Sequence, residues 1–141
     1  MRVVLDTNVL VSGLLSPFGL PGEIVRMVSA GVIRLCVDAR LLAEYEQVLL
    51  RPRFGLDPDA VAALLDYIDV TSDKVASVPL GDRLPDPDDE AFLEVAVASG
   101  ADYLATGNLV HFPAEACAGV SVVSPAAFVE AYRSAEVSGT T

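Results

Sequence analysis

The chain has 141 residues and a formal net charge of −11, from 20 acidic and 9 basic side chains. That length fits one domain whose core needs no staple, and the acidic excess argues against a broad basic surface that grips nucleic acid. It leaves room for an enzyme whose acids surround divalent cations, because a bound ion inverts the local field.

Arg2-Val3-Val4-Leu5 reads as a buried first strand ending at Asp6. Val9 to Leu15 is apolar enough for a buried helix, and Pro17, Gly19, Pro21 and Gly22 then break the pattern. Glu23 to Ala30 reads as a short helix closed by Gly31, and Val32 to Val37 as a second strand. Asp38 is placed to cap a helix running to Leu50, with Pro52 marking its end. Asp57-Pro58 opens another helix, with Val61, Leu64, Leu65 and Ile68 on one face. Val75 to Val78 is expected as a short strand and Gly81 to Pro85 as a loop; Asp86-Pro87 then starts a helix to Ser99, ended by Gly100. Tyr103 to Thr106 and Val120 to Val123 read as strands, and Pro125 to Tyr132 as a closing helix. The expectation is a single domain over residues 1–133 and a polar, disordered tail over 134–141. Strands alternating with helices, in a chain that is 52% hydrophobic and lacks Trp, predict an α/β fold with a mainly parallel sheet. No apolar run approaches the ~18 residues that span a bilayer. No secretory leader pattern precedes Asp6, so a cytoplasmic protein without membrane contact is expected.

Polar side chains stand at informative places. Asp6 follows the first strand, and Asn108 follows the Tyr103–Thr106 strand across Gly107. If both strands are parallel members of one sheet, both side chains emerge at the edge where such sheets bind ligands. The helix beginning at Asp86 lies on the sheet by a right-handed crossover, its N-terminus at the opposite end unless the loop carries it back. Its first turn holds Asp86, Asp88, Asp89 and Glu90, more acid than capping needs, and close like charges destabilise a fold unless something cationic offsets them. Glu44 and Glu46 lie on opposite edges of the apolar stripe Leu41, Leu42, Tyr45, Val48 and Leu49, and periodicity does not choose between them. Arg51 and Arg53 suit either a phosphate held bidentately or a solvated helix end. Oxygen donors in this number suit a hard divalent cation, with a substrate phosphate completing its shell. No nucleophile triad or phosphate-cradling glycine loop competes: the only histidine, His111, reads as structural in its setting Val110-His111-Phe112-Pro113. Cys36 and Cys117 read as small buried hydrophobes.

Four stretches together resemble the PIN domain family, in the branch that holds toxin components of toxin–antitoxin systems. They are Val4-Leu5-Asp6-Thr7-Asn8-Val9-Leu10, the run from Leu41 to Phe54, the run from Asp86 to Ala96, and Ala101-Asp102-Tyr103-Leu104-Ala105-Thr106-Gly107-Asn108. Val123-Ser124-Pro125-Ala126-Ala127-Phe128 continues the match in the same order. The resemblance implies a three-layer α/β/α sandwich and a Mg²⁺- or Mn²⁺-dependent ribonuclease. It implies Asp6, Glu44 and Asp89 as the catalytic and metal-binding acids, Asp86 as an assisting ligand, and Asn8 and Thr106 as polar supports. It also implies an RNA substrate, an antitoxin partner and a homodimer. Asn108 departs from the commoner Asp of the family: an amide oxygen can ligate a hard cation but adds no charge, so a second metal should bind more weakly. Two other classes stand beside the nuclease. One is a catalytically weak or inactive module of the same fold; the other is a phosphatase with Asp6 as nucleophile, disfavoured because Lys74 is the sole lysine.

Overall fold

The computed structural model describes residues 1–137, which form an α/β/α fold around a five-stranded, all-parallel sheet in the order β3-β2-β1-β4-β5. The central strand β1 (Arg2–Leu5) pairs with β2 (Arg34–Val37) on one side and β4 (Tyr103–Ala105) on the other. The short edges are β3 (Asp73–Lys74) and β5 (Val122–Val123). Val3, Val4 and Leu5 are completely buried, as are Cys36, Val37, Leu104 and Ala105. These are the consecutive apolar residues that a sheet covered on both faces demands. Both cysteines are buried and free.

Helices α1 (Thr7–Leu15) and α2 (Leu20–Ser29) connect β1 to β2. They approach closely at Gly13 of α1, where a Cβ would sit 2.5 Å from Val25 Cγ2 and 2.7 Å from the Pro21 carbonyl oxygen of α2. Asp38 caps α3 (Ala39–Leu49) by accepting the Leu41 N–H at 3.1 Å, and Leu41, Tyr45 and Leu49 form its buried stripe. The Tyr45 hydroxyl donates to the Leu5 carbonyl at 2.6 Å, tying α3 to the end of β1. A 3₁₀ turn at Pro52–Phe54 ends this segment, and α4 (Pro58–Thr71) returns to β3. After a long loop, a 3₁₀ turn at Pro87–Asp89 leads into α5 (Glu90–Ser99), which packs across β1, β2 and β4. The last helix, α6 (Pro125–Val137), packs on α2, β4 and β5.

Several expectations change: α2 starts at Leu20 and includes Pro21 and Gly22, β2 starts at Arg34, and the Asp86 segment opens as a 3₁₀ turn before α5. The third strand is Asp73–Lys74 rather than Val75–Val78, because the residues that pair with Cys36 and Val37 form the ladder. Helix α6 runs through Ser134–Val137, so these four residues are helix rather than tail, while 138–141 lie outside the described residues. Finally, α5 begins at the carboxyl edge of the sheet: its last turn is held at the other edge, where the Arg2 guanidinium donates to the Ser99 carbonyl at 2.6 Å. The crossover therefore needs no returning loop. Its first residues sit over the strand ends.

Candidate metal centre

The strand order reverses between β1 and β4, since the chain builds outward from β1 through β2 to β3 and then crosses to β4 and β5. The crevice beyond the carboxyl ends of these two strands is where open α/β sheets bind ligands. Asp6 ends β1 there and is only 5% exposed. Its backbone N–H donates to the Ala105 carbonyl at 3.0 Å, continuing the β1–β4 ladder into the site. Its Oδ2 accepts from the Thr106 hydroxyl at 2.7 Å and from the Asn8 amide at 3.4 Å. Thr106 is fully buried, and its hydroxyl also accepts the Asn108 N–H at 3.0 Å. The other end of the Asn8 amide accepts the Gly107 N–H at 3.2 Å, so Asn8 clamps the two strand ends together. Burial raises the Asp6 pKa; the Thr106 hydroxyl and the backbone N–H groups of Thr7 and Asn8 work against that shift.

Glu44 lies on α3 facing this crevice, half-buried, and accepts a hydrogen bond from the Thr7 hydroxyl. Glu46 is exposed and turns instead toward Asp66 and Asp69 of α4. The periodicity tie is settled by which helix each face meets.

The acids of the run before α5 differ in what they hold. Asp86 accepts the Asp88 N–H at 3.0 Å, capping the 3₁₀ turn, and Asp88 is exposed. Glu90 is buried and holds the preceding loop through the Leu84 N–H at 3.0 Å, with the Arg83 guanidinium 3.6 Å away. Asp89 is 9% exposed and braces neither turn nor loop, since its Oδ2 is buried and makes no hydrogen bond. Burial first, and then the charges of Asp6 and Asp86, push its carboxyl up to about 6, with His111 acting in the opposite direction.

Among the described residues, the one cationic candidate in contact with Asp89 is His111, whose Nδ1 lies 3.0 Å from Asp89 Oδ2. Ligand atoms of Asp86, Asp89 and His111 all fall within 4.8 Å of one another. The structure brings His111, read from the sequence as structural, beside two of the acids. Its signal in the sequence was its place three residues beyond Asn108, where the 3₁₀ turn Leu109–His111 folds it back over the strand ends. Thr7 was likewise missed, although it adjoins Asp6.

Several carboxylates of the fold have Arg or Lys partners. Arg40 pairs with Asp38 and Glu94, Arg2 and Arg34 with Asp73, and Arg133 with Glu23. Among the described residues, Asp6, Asp86 and Asp89 have none. Buried charge of one sign is the deficit a cation fills. The residues present fit a divalent ion.

Asn108 is exposed and lines a cavity of about 250 Å³ with Asn8, Ser12 and Pro125, on the α1 side of Asp6. Arg51 and Arg53 are exposed beyond the end of α3. An 11-residue helix separates them from the strand edge, a rise of ~16 Å. The Arg53 guanidinium sits 4.8 Å from the Phe54 ring centroid.

A family model described as a PIN domain matches residues 2–110, most of the chain. The chain belongs to the PIN domain family. No curated protein matches it. PIN domains are generally nucleases that use divalent metals, which agrees with the acids gathered at the strand ends. The match takes in Asp6, Glu44, Asp86, Asp89 and Asn108 and stops one residue before His111.

Proposed function

We propose that this PIN domain is a divalent-cation-dependent endoribonuclease and the toxin of a toxin–antitoxin pair. The observation that carries the nuclease reading is Asp89: a buried carboxylate set beside Asp6 and Asp86, with His111 its one charged partner among the described residues and no Arg or Lys. Asp6, Glu44 and Asp89 would hold Mg²⁺ or Mn²⁺, with Asp86 and Asn108 alongside. Such an ion polarises the scissile phosphate and eases deprotonation of the attacking water. The protein's own part is to hold the acids in place before the ion arrives. Thr106 and Asn8 fix Asp6, and Thr7 fixes Glu44. Binding the cation also offsets the repulsion that an acidic chain presents to RNA. Arg51 and Arg53 are offered as contacts for substrate phosphates at a distance from the centre.

The toxin role, an antitoxin partner and a homodimer rest on the sequence resemblance. The nuclease is tested by incubating labelled single-stranded RNA with the purified protein in Mn²⁺ or in EDTA, beside Asp6→Ala. Cleavage should need both the ion and Asp6. Cleavage that survives Asp6→Ala would remove Asp6 from the centre, and no cleavage of any RNA would favour an interaction module, for which the neutral Asn108 is the motive. The toxin role predicts growth arrest on expression, relieved by the product of a neighbouring gene. Unimpaired growth of expressing cells would contradict it.

A further inference from the structure

We propose that His111 is itself a metal ligand, forming with Asp86 and Asp89 a nitrogen-containing position that prefers a first-row transition ion to Mg²⁺. The proposal rests on the reading of these acids as a cation centre and goes beyond it by adding a ligand and a metal preference. The geometry supplies the first argument. His111 Nδ1 and Asp89 Oδ2 are 3.0 Å apart, and Asp86 offers a third ligand atom within 4.8 Å of both. Neighbouring ligands of an octahedral ion, each about 2.1 Å from the metal, lie about 3.0 Å from one another. The contact therefore has the spacing of two donors converging on a third point.

The second argument is that Asp89 is nine-tenths buried and its Oδ2, itself buried, has no partner among the described residues besides the His111 imidazole. The third is the loop. After β4, Asn108 brings no charge, and the turn Leu109–His111 presents an imidazole in its place: the His111 N–H donates to the Asn108 carbonyl at 3.0 Å. The next residue, Phe112, is 5% exposed and anchors the turn. The imidazole itself is 38% exposed, so an ion can reach it from solvent. Oxygen-only sets suit Mg²⁺, whereas imidazole shifts selectivity along the series toward the later transition ions.

The test exploits the fact that the chain has one histidine. Untagged, full-length protein is loaded with one equivalent of Mn²⁺ and examined by pulsed electron paramagnetic resonance, with and without [¹⁵N]histidine labelling. The expected result is an imidazole-nitrogen coupling that changes with the isotope and disappears in His111→Gln. Titrations should show His111→Gln losing about 10- to 100-fold in Mn²⁺ affinity, the range for perturbing a metal's ligand environment, with Mg²⁺ affinity little changed. Bound Mn²⁺ without nitrogen coupling would overturn the proposal and leave the carboxylate-based nuclease standing. Absence of any bound Mn²⁺ would overturn both.

Discussion

Asp89→Asn should stabilise the metal-free protein while abolishing its response to metal. Burial and the charges of Asp6 and Asp86 push the Asp89 carboxyl from 3.8 up to about 6 in the fold, and unfolding returns it to the ordinary range. A difference of that size destabilises the ionised fold by at most about 3 kcal/mol, and solvent at the open rim reduces this to about 1–2 kcal/mol. The sign follows from proton uptake. Between those pH values the folded state holds a proton that the unfolded chain has released, so the destabilisation is full above about 6 and fades as pH falls toward 3.8. Asp6 acts in the same direction, since its pKa is also raised. Asp73 acts oppositely: hydrogen bonds from Arg2 and Arg34 lower its pKa, so its contribution is lost only at more acid pH. Asparagine cannot ionise. In EDTA at about pH 7.5, thermal melts should show the variant ~3–6 °C above the wild type. The gap should close as the pH is lowered toward 5, and Mn²⁺ should raise only the wild-type Tm. A variant less stable than wild type in EDTA at neutral pH would refute the reasoning, because the carboxylate would then be satisfied without a cation.

Other substitutions probe the supports. Thr106→Val deletes the hydroxyl that donates to Asp6 at 2.7 Å; it should cost about 1–3 kcal/mol in chemical denaturation and lower Mn²⁺-dependent cleavage about 10- to 100-fold. Asn108→Asp restores an acid at the loop and should tighten Mn²⁺ binding and raise the cleavage rate; unchanged affinity in equilibrium dialysis would mean that this side chain does not face the ion. Gly22→Ala places a Cβ 2.2 Å from the Pro17 carbonyl oxygen and should destabilise by about 1–3 kcal/mol, with the cleavage rate per folded molecule unchanged.

Much of this architecture is local and was legible in the sequence. The run before Asp6 and the Asp38 cap are set by neighbours in the chain, and each stands where residue chemistry places it. The rest depends on pairing between distant segments. Asp73 and Lys74 are polar, yet they form β3 because Cys36 and Val37 offer a partner edge. Glu44 and Glu46 are equivalent on a helical wheel, and the positions of Thr7 on α1 and of α4 distinguish them. The nearness of His111 to Asp89 arises where the turn after β4 meets the turn before α5, two segments more than twenty positions apart in the chain. No periodicity within either segment reports that meeting. Asp6 itself was found at the strand tip, while the bonds from Thr106 and Asn8 emerge only once β1 and β4 are adjacent.

The central claim is that the acids beyond β1 and β4 hold a divalent cation. A crystal of the full chain grown with Mn²⁺, at a concentration that supports RNA cleavage, tests it through the anomalous scattering of the ion. The account predicts an anomalous peak in contact with the Asp6 and Asp89 carboxylates. Cleavage-competent Mn²⁺ conditions that leave no ordered ion at these two residues would contradict it.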